Sequence, residues 1–196
     1  MTPASLRVNY IEELKKCGDK LYKKHQYWEF INVVDNPELL DALSYALSLS
    51  TQFIVENKGA WFVNVKKKSN FNELSSIDQQ SLDKQLNKMI SYKYKFINYN
   101  GLRLKQFNKL RKIEDNPFSN KVVIIDEAHN FVSRIVNKLK RKSALSLTLY
   151  DLLMRAENAK IILLTGTPII NYPNEIAIAM NILRGYIETL IFKLDV

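Results

Sequence analysis

The chain has 196 residues, 46% hydrophobic and 25% charged. That suffices for a sizeable core, and no apolar run approaches the ~20 residues a bilayer span needs. Lys and Arg outnumber Asp and Glu 29 to 20, and the net charge of +9 favours polyanionic partners. Cys17 is the only cysteine, which excludes an intrachain disulfide and fits a reducing, intracellular compartment. Two histidines, His25 and His129, exclude a multi-histidine zinc site. The opening MTPASLRVNY has no apolar stretch after a basic one and does not read as a signal peptide. None of the five glycines is followed by Lys, so the Gly-Lys-Ser/Thr end of a phosphate-binding P-loop is missing from the sequence.

In chain order, residues 6–17 predict an amphipathic helix capped by Ser5 and closed by Gly18. Tyr27–Val34 reads as a strand. Asn36-Pro37 starts a helix that runs to Leu49, and Trp61–Val65 is a strand entered through the Lys58-Gly59 turn. Residues 66–76 read as a loop and Ile77–Ser91 as a helix. Lys95–Asn98 is a short strand ending at Asn100-Gly101, and Leu102–Ile113 a basic amphipathic helix. In the last third, Val122–Ile125 and Ile161–Leu164 are apolar runs expected in strands buried on both faces. Helices are expected over 130–140, 143–156 and from Asn171-Tyr-Pro173 to Leu183, stopped near Gly185. Strands alternating with helices predict an α/β fold with a mostly parallel sheet, in one domain.

In such sheets functional groups gather outside the carboxyl ends of the strands. The first apolar strand delivers Asp126-Glu127-Ala128-His129, and the second delivers Thr165-Gly166-Thr167-Pro168. A carboxylate at a strand tip can hold Mg²⁺, and a second beside it can orient or deprotonate a water attacking a phosphoryl group. Taken alone, Asp-Glu after a strand can be no more than a helix cap, and Thr-Gly-Thr-Pro no more than a turn. Tyr92–Phe96 interleaves aromatics with lysines, a pattern that can serve base stacking; since it leads into a strand, it reads as core packing of alternate side chains instead.

VVIIDEAH resembles motif II, the Walker B element, of superfamily 2 helicases and translocases, and LLTGTP resembles their motif III. Their order and their spacing of about 40 residues match as well. Pro3–Leu6 with Asn9, Glu13 and Leu14 resembles motif Ia, and Phe96–Asn100 resembles motif Ib. TGTPIINYPNEIAIAMNILRGYI is similar to the Swi/Snf-like branch, and most of all to helicases of nucleocytoplasmic large DNA viruses.

The resemblance implies a partial RecA-like lobe over 1–196, running from motif Ia to motif III, with ATP as substrate and Mg²⁺ as its cation. Asp126 would be the Mg²⁺-associated carboxylate and Glu127 the residue that activates water. His129, Thr165, Gly166 and Thr167 would couple hydrolysis to movement. Ser5, Arg7, Asn98, Tyr99 and Asn100 would lie near nucleic acid, DNA rather than RNA, in a viral factory or virion. The family also needs a P-loop strand beside the motif III strand and a second lobe with an arginine finger. Their absence here points to a piece of a longer enzyme, or to a partner chain that supplies them, and would leave Ile161–Leu164 as an apolar edge. Two other readings stay open: a catalytically inactive remnant that binds nucleic acid or a protein, and a metal hydrolase. The last is disfavoured because adjacent Asp126, Glu127 and His129 cannot all face one ion.

Overall fold

The structure, a computed structural model, describes residues 1–103, 105, 107–108, 115–139 and 145–185. The expected single domain divides into two compact units, Leu6–Phe96 and Met1–Ser5 with the chain from Ile97 onward.

Helix α1 (Arg7–Cys17) opens the first unit. A short 3-10 turn, Ala4–Leu6, leads directly into it, so Leu6 rather than Ser5 occupies the capping position and no side chain caps the helix. Strand β1 (Tyr27–Asn32) follows, then a 3-10 turn at Pro37–Leu39, α2 (Leu40–Leu47) and α3 (Thr51–Glu56). Ser48 is left-handed and ends α2. The side chain of Ser50 caps α3 by accepting the Phe53 N–H, which makes two helices where one was expected. Strand β2 (Gly59–Asn64) pairs with β1 antiparallel, from Tyr27↔Asn64 to Asn32↔Gly59. This pair departs from the expected mostly parallel sheet, which the strands of the second unit keep. The α2–α3 excursion returns the chain to the end of β1 that it left, where the Val33 N–H meets the Lys58 carbonyl at 3.1 Å, and only an antiparallel return fits.

Helix α4 (Ser76–Lys93), capped by Ser75, buries Leu82, Gln85, Leu86, Met89 and Ile90. These pack with Trp28, Leu43, Leu47, Ile54 and Trp61 into the unit's core. Gln85 is buried but satisfied: its side chain accepts the Trp61 N–H at 2.8 Å and donates to the Trp61 carbonyl at 2.7 Å. Lys15, 1% exposed, bridges Glu12 and Asp83, each at 2.8 Å, and Lys24 joins the same two carboxylates, tying α1 to α4. Because α4 runs on to Lys93, the expected strand 95–98 shrinks to one parallel bridge, Thr2↔Asn98.

In the second unit, β3 (Val122–Ile125) and β4 (Lys160–Leu163) pair in parallel, Val122↔Lys160 to Ile125↔Leu163. Met1 lies along the other edge of β3, where its carbonyl accepts the Asp126 N–H at 2.9 Å. The Thr2 N–H in turn reaches the Ile97 carbonyl at 3.0 Å. Four segments therefore lie side by side in the order 97–98, 1–2, β3, β4. Helices α5 (Ala128–Val136), α6 (Leu145–Met154) and α7 (Asn174–Arg184) pack on one another, and α7 also packs against β4.

Val123 and Ile125 are buried with Phe131, Val132, Ile135, Leu149 and Ile182, whereas Val122 is exposed and Ile124 half-buried. Alternate side chains of a strand point to opposite faces, so β3 has one fully covered face rather than the expected two. In β4, Ile161, Ile162 and Leu163 are half-buried, and Leu164 just beyond it is exposed. Among the described residues β4 pairs with β3 alone. The expected helix 102–113 lies largely outside the described residues. No helix among them is long and apolar enough to cross a membrane.

Candidate active site

The tips of β3 and β4 are laced together by the backbone. The Leu164 N–H donates to the Ile125 carbonyl and the Ala128 N–H to the Leu164 carbonyl, each at 2.9 Å. This places Asp126–His129 directly beside Thr165–Thr167. The turn from strand to helix is made at Glu127, whose backbone is left-handed at φ 48°, ψ 48°. The Asp126 carboxylate accepts the Glu127 N–H at 3.0 Å, which fixes that turn.

His129 spans the two tips. Its Nδ1 lies 2.8 Å from Thr165 Oγ1, 3.3 Å from Thr167 Oγ1 and 3.5 Å from Glu127 Oε2. The Thr167 N–H donates to Thr165 Oγ1 at 3.1 Å, so the threonine turn is held closed by its own hydroxyl. A Cβ on Gly166 would enter open space, so packing does not demand glycine there.

Tyr99 is placed differently from the expectation. It is 3% exposed, its ring packs on Phe131 at 5.4 Å, and its hydroxyl lies 2.9 Å from the carbonyls of both Asp126 and Glu127. Burial, reinforced by the charges of Asp126 and Glu127, raises its phenol above the ordinary value. Its side chain thus faces inward and supports the carboxylate turn, leaving only its backbone for a nucleic-acid contact. Ser5, Arg7 and Asn100 are exposed, and Asn98 is half-buried. Arg7 lies over the Phe96 ring in the first unit, and the Asn100 carbonyl accepts from Arg134 at 3.3 Å.

One residue at this end escaped the sequence reading. Glu175, fully buried at the start of α7, accepts the N–H groups of Ile170 at 2.7 Å and Asn171 at 3.2 Å. Asn171 in turn donates to Ser133 of α5 at 2.9 Å. Burial works against the charged form of Glu175, but these hydrogen bonds outweigh it and hold the carboxyl below its ordinary value. The loop after the threonine turn is thereby stitched to both helices. An acid in a helix's first turn normally complements the dipole, and that expectation hid its second task.

The carboxylate turn lies open at the strand tips. A cavity of about 930 Å³ in the same unit, lined by Asn130, Arg134, Asn137 and Asn171 among others, contains none of Asp126, Glu127, His129, Thr165 or Thr167 in its walls. Mg²⁺ takes one or two carboxylates and keeps several waters, and Asp126 beside Glu127 fits that donor set. Among the described residues no group of three or more His, Cys, Asp or Glu could hold a metal by itself.

Residues 15–170 match the family model described as the type III restriction enzyme, res subunit. The chain belongs to that family. It is 43% identical over 68 residues to a protein of Acanthamoeba polyphaga mimivirus named as an ATP-dependent RNA helicase, an alignment covering 35% of this chain and 13% of that protein. A second mimivirus protein named in the same way is 32% identical over 110 residues, 56% of this chain and 17% of the relative. A termination factor NPH-I homolog of African swine fever virus is 39% identical over 66 residues, 34% of this chain and 9% of the relative. The chain thus spans less than a fifth of the length of these relatives. No solved structure matches it. The superfamily 2 relationship expected from the DEAH and TGTP motifs, and the likeness to helicases of large DNA viruses, are both borne out.

Proposed function

We propose that the chain is the hydrolytic part of the first RecA-like lobe of a viral, transcription-linked, nucleic-acid-dependent ATPase. The observation that carries this reading is the hydrogen-bonded bridge from His129 to Thr165 and Thr167. It joins a carboxylate pair at one strand tip to hydroxyls at the next. Asp126 would hold Mg²⁺, directly or through water. When bound, the ion neutralises charge developing on the transferred phosphoryl group. Glu127, reaching out from its left-handed turn, orients the attacking water and takes its proton. His129 relays any shift of the Thr165–Thr167 turn to the first turn of α5, and so to Glu127. Ser5, Arg7, Asn98 and Asn100 serve the nucleic acid, while Tyr99 braces the carboxylate turn from below.

No Gly-Lys-Ser/Thr occurs within these 196 residues, so this reading calls for a phosphate-binding loop, with the rest of the enzyme's site, to be joined to them. In the enzyme assembled with those parts, Glu127→Gln abolishes ATP turnover and keeps Mg²⁺-dependent nucleotide binding. Unchanged turnover would remove Glu127 from its role and the reading with it. His129→Ala retains basal turnover and loses its stimulation by nucleic acid.

A further inference from the structure

The first unit carries a second surface whose chemistry none of the motifs uses. Ser91 and Tyr92 lie on α4 three and four residues after Lys88, and Lys95 continues the same row beyond the helix end. They line a cavity of about 660 Å³ together with Tyr45 of α2 and Ser48 of the turn after it. Tyr45 is 91% exposed and Tyr92 65% exposed. The opposite side of α4 is the buried one, and Tyr94 and Phe96 pack against the core. The aromatic-lysine run is therefore split: its later rings are structural, while Tyr92 is turned out to solvent with the Lys95 ammonium 5.8 Å from its ring centre.

The charge of this surface is one-sided. No carboxylate lines the cavity among the described residues. Lys15, Lys16, Lys24 and Lys67 of this unit are ion-paired, whereas Lys88 and Lys95 have no carboxylate within ion-pair distance among the described residues. Two exposed aromatic faces seek flat apolar partners, and two unpaired ammonium groups seek anions. Unpaired bases strung on a phosphate backbone supply both, since every base has a π-face that can stack on an aromatic side chain. An acidic peptide would satisfy the lysines and leave the rings bare.

We infer that the Tyr45–Tyr92 surface, flanked by Lys88 and Lys95, binds single-stranded nucleic acid by base stacking. This goes beyond the ATP-hydrolysing reading and does not depend on it. Binding needs no nucleotide, and Glu127→Gln, which tests that reading, leaves it unchanged.

The test is fluorescence anisotropy of labelled oligo(dT) and oligo(U) titrated with the full chain. Tyr92→Ala and Tyr45→Ala each weaken binding about tenfold, while Tyr92→Phe retains it. Lys88→Gln and Lys95→Gln each reduce the salt dependence by about 0.7 of a unit of slope. Both tyrosines are exposed, and circular dichroism confirms that the variants fold. An abasic strand of equal length binds the native chain and Tyr92→Ala alike. Binding of either oligomer that shows these tyrosine-dependent losses supports the inference. It is overturned if both tyrosine variants bind as the native chain does, if the abasic strand shows the same loss, or if polyglutamate competes as well as oligo(dT).

Discussion

At Glu127 the role proposed for the side chain is set against the strain of its backbone. Its φ of 48° is shared by few non-glycine residues, and of those described here two are asparagines, which tolerate that region. For another L-residue the left-handed conformation costs roughly 1–2 kcal/mol. Glycine removes that cost but loses about 0.5–1 kcal/mol through its larger backbone entropy. The rest of the site is indifferent to the side chain. Glu127 is 41% exposed, its contact with His129 is long at 3.5 Å, and the Asp126 and Tyr99 hydrogen bonds reach its backbone. Glu127→Gly should therefore stabilise the chain by about 0.5–1 kcal/mol. At about 2–4 °C per kcal/mol for a chain of this size, the midpoint rises by about 1–4 °C. Thermal unfolding followed by circular dichroism measures it, with Glu127→Ala as control because alanine keeps the strain. An unchanged or lower midpoint for glycine, or an equal rise for alanine, would refute strain as the reason. The same glycine variant should be without turnover in the assembled enzyme.

Tyr99→Phe keeps the packing on Phe131 and leaves the Asp126 carbonyl without its phenol donor, while the Glu127 carbonyl keeps the Asn130 N–H, at a cost of about 1–3 kcal/mol. Because the folded phenol lies above its ordinary value of 10.0, its contribution is complete below that pH and is lost as pH rises past it. Urea midpoints should fall with alkaline pH in the native chain and less so in Tyr99→Phe; parallel curves would contradict this. Glu175→Gln should cost about 1–3 kcal/mol through the Ile170 and Asn171 hydrogen bonds. The folded carboxyl lies below its ordinary 4.5, so its stabilisation is present above that value and lost as pH falls through the folded one. The glutamine variant should lack that component of acid destabilisation. Lys15→Ala leaves Glu12 and Asp83 facing each other with Lys24 alone and should cost about 2 kcal/mol. Lys16→Ala, at an exposed pair with Glu13, should leave the urea midpoint where it was.

The sequence by itself determined many of the local elements and which groups stand at the strand tips as candidates. Val122–Ile125 and Ile161–Leu163 declare themselves as strands because a continuous apolar run needs burial, and DEAH and TGTP behind them declare a carboxylate pair and a hydroxyl turn. Helix ends were legible where a local signal governs them. Gly185, expected as a stop, closes α7 by donating its N–H to the Asn181 carbonyl four residues back.

What needed the tertiary structure depends on groups distant in the chain. The antiparallel pairing of β1 with β2 follows from where the α2–α3 excursion returns, which no strand pattern encodes. Tyr99 looks like a surface residue in a polar Asn-Tyr-Asn turn, yet it is buried because two carbonyls 27 and 28 positions later take its hydroxyl. Glu175 looks like a helix-dipole acid, yet it is buried because the loop before it brings two N–H groups to its carboxylate. Tyr92 faces solvent rather than a core because α4 runs past its expected end at Ser91 to Lys93 and carries that ring on the side away from the buried face. The +9 charge with which the chain announces itself acquires a place in the same way. Folding pairs several lysines with carboxylates and leaves Lys88 and Lys95 beside two exposed rings, since ion pairing is decided by proximity in space and not by order in the chain.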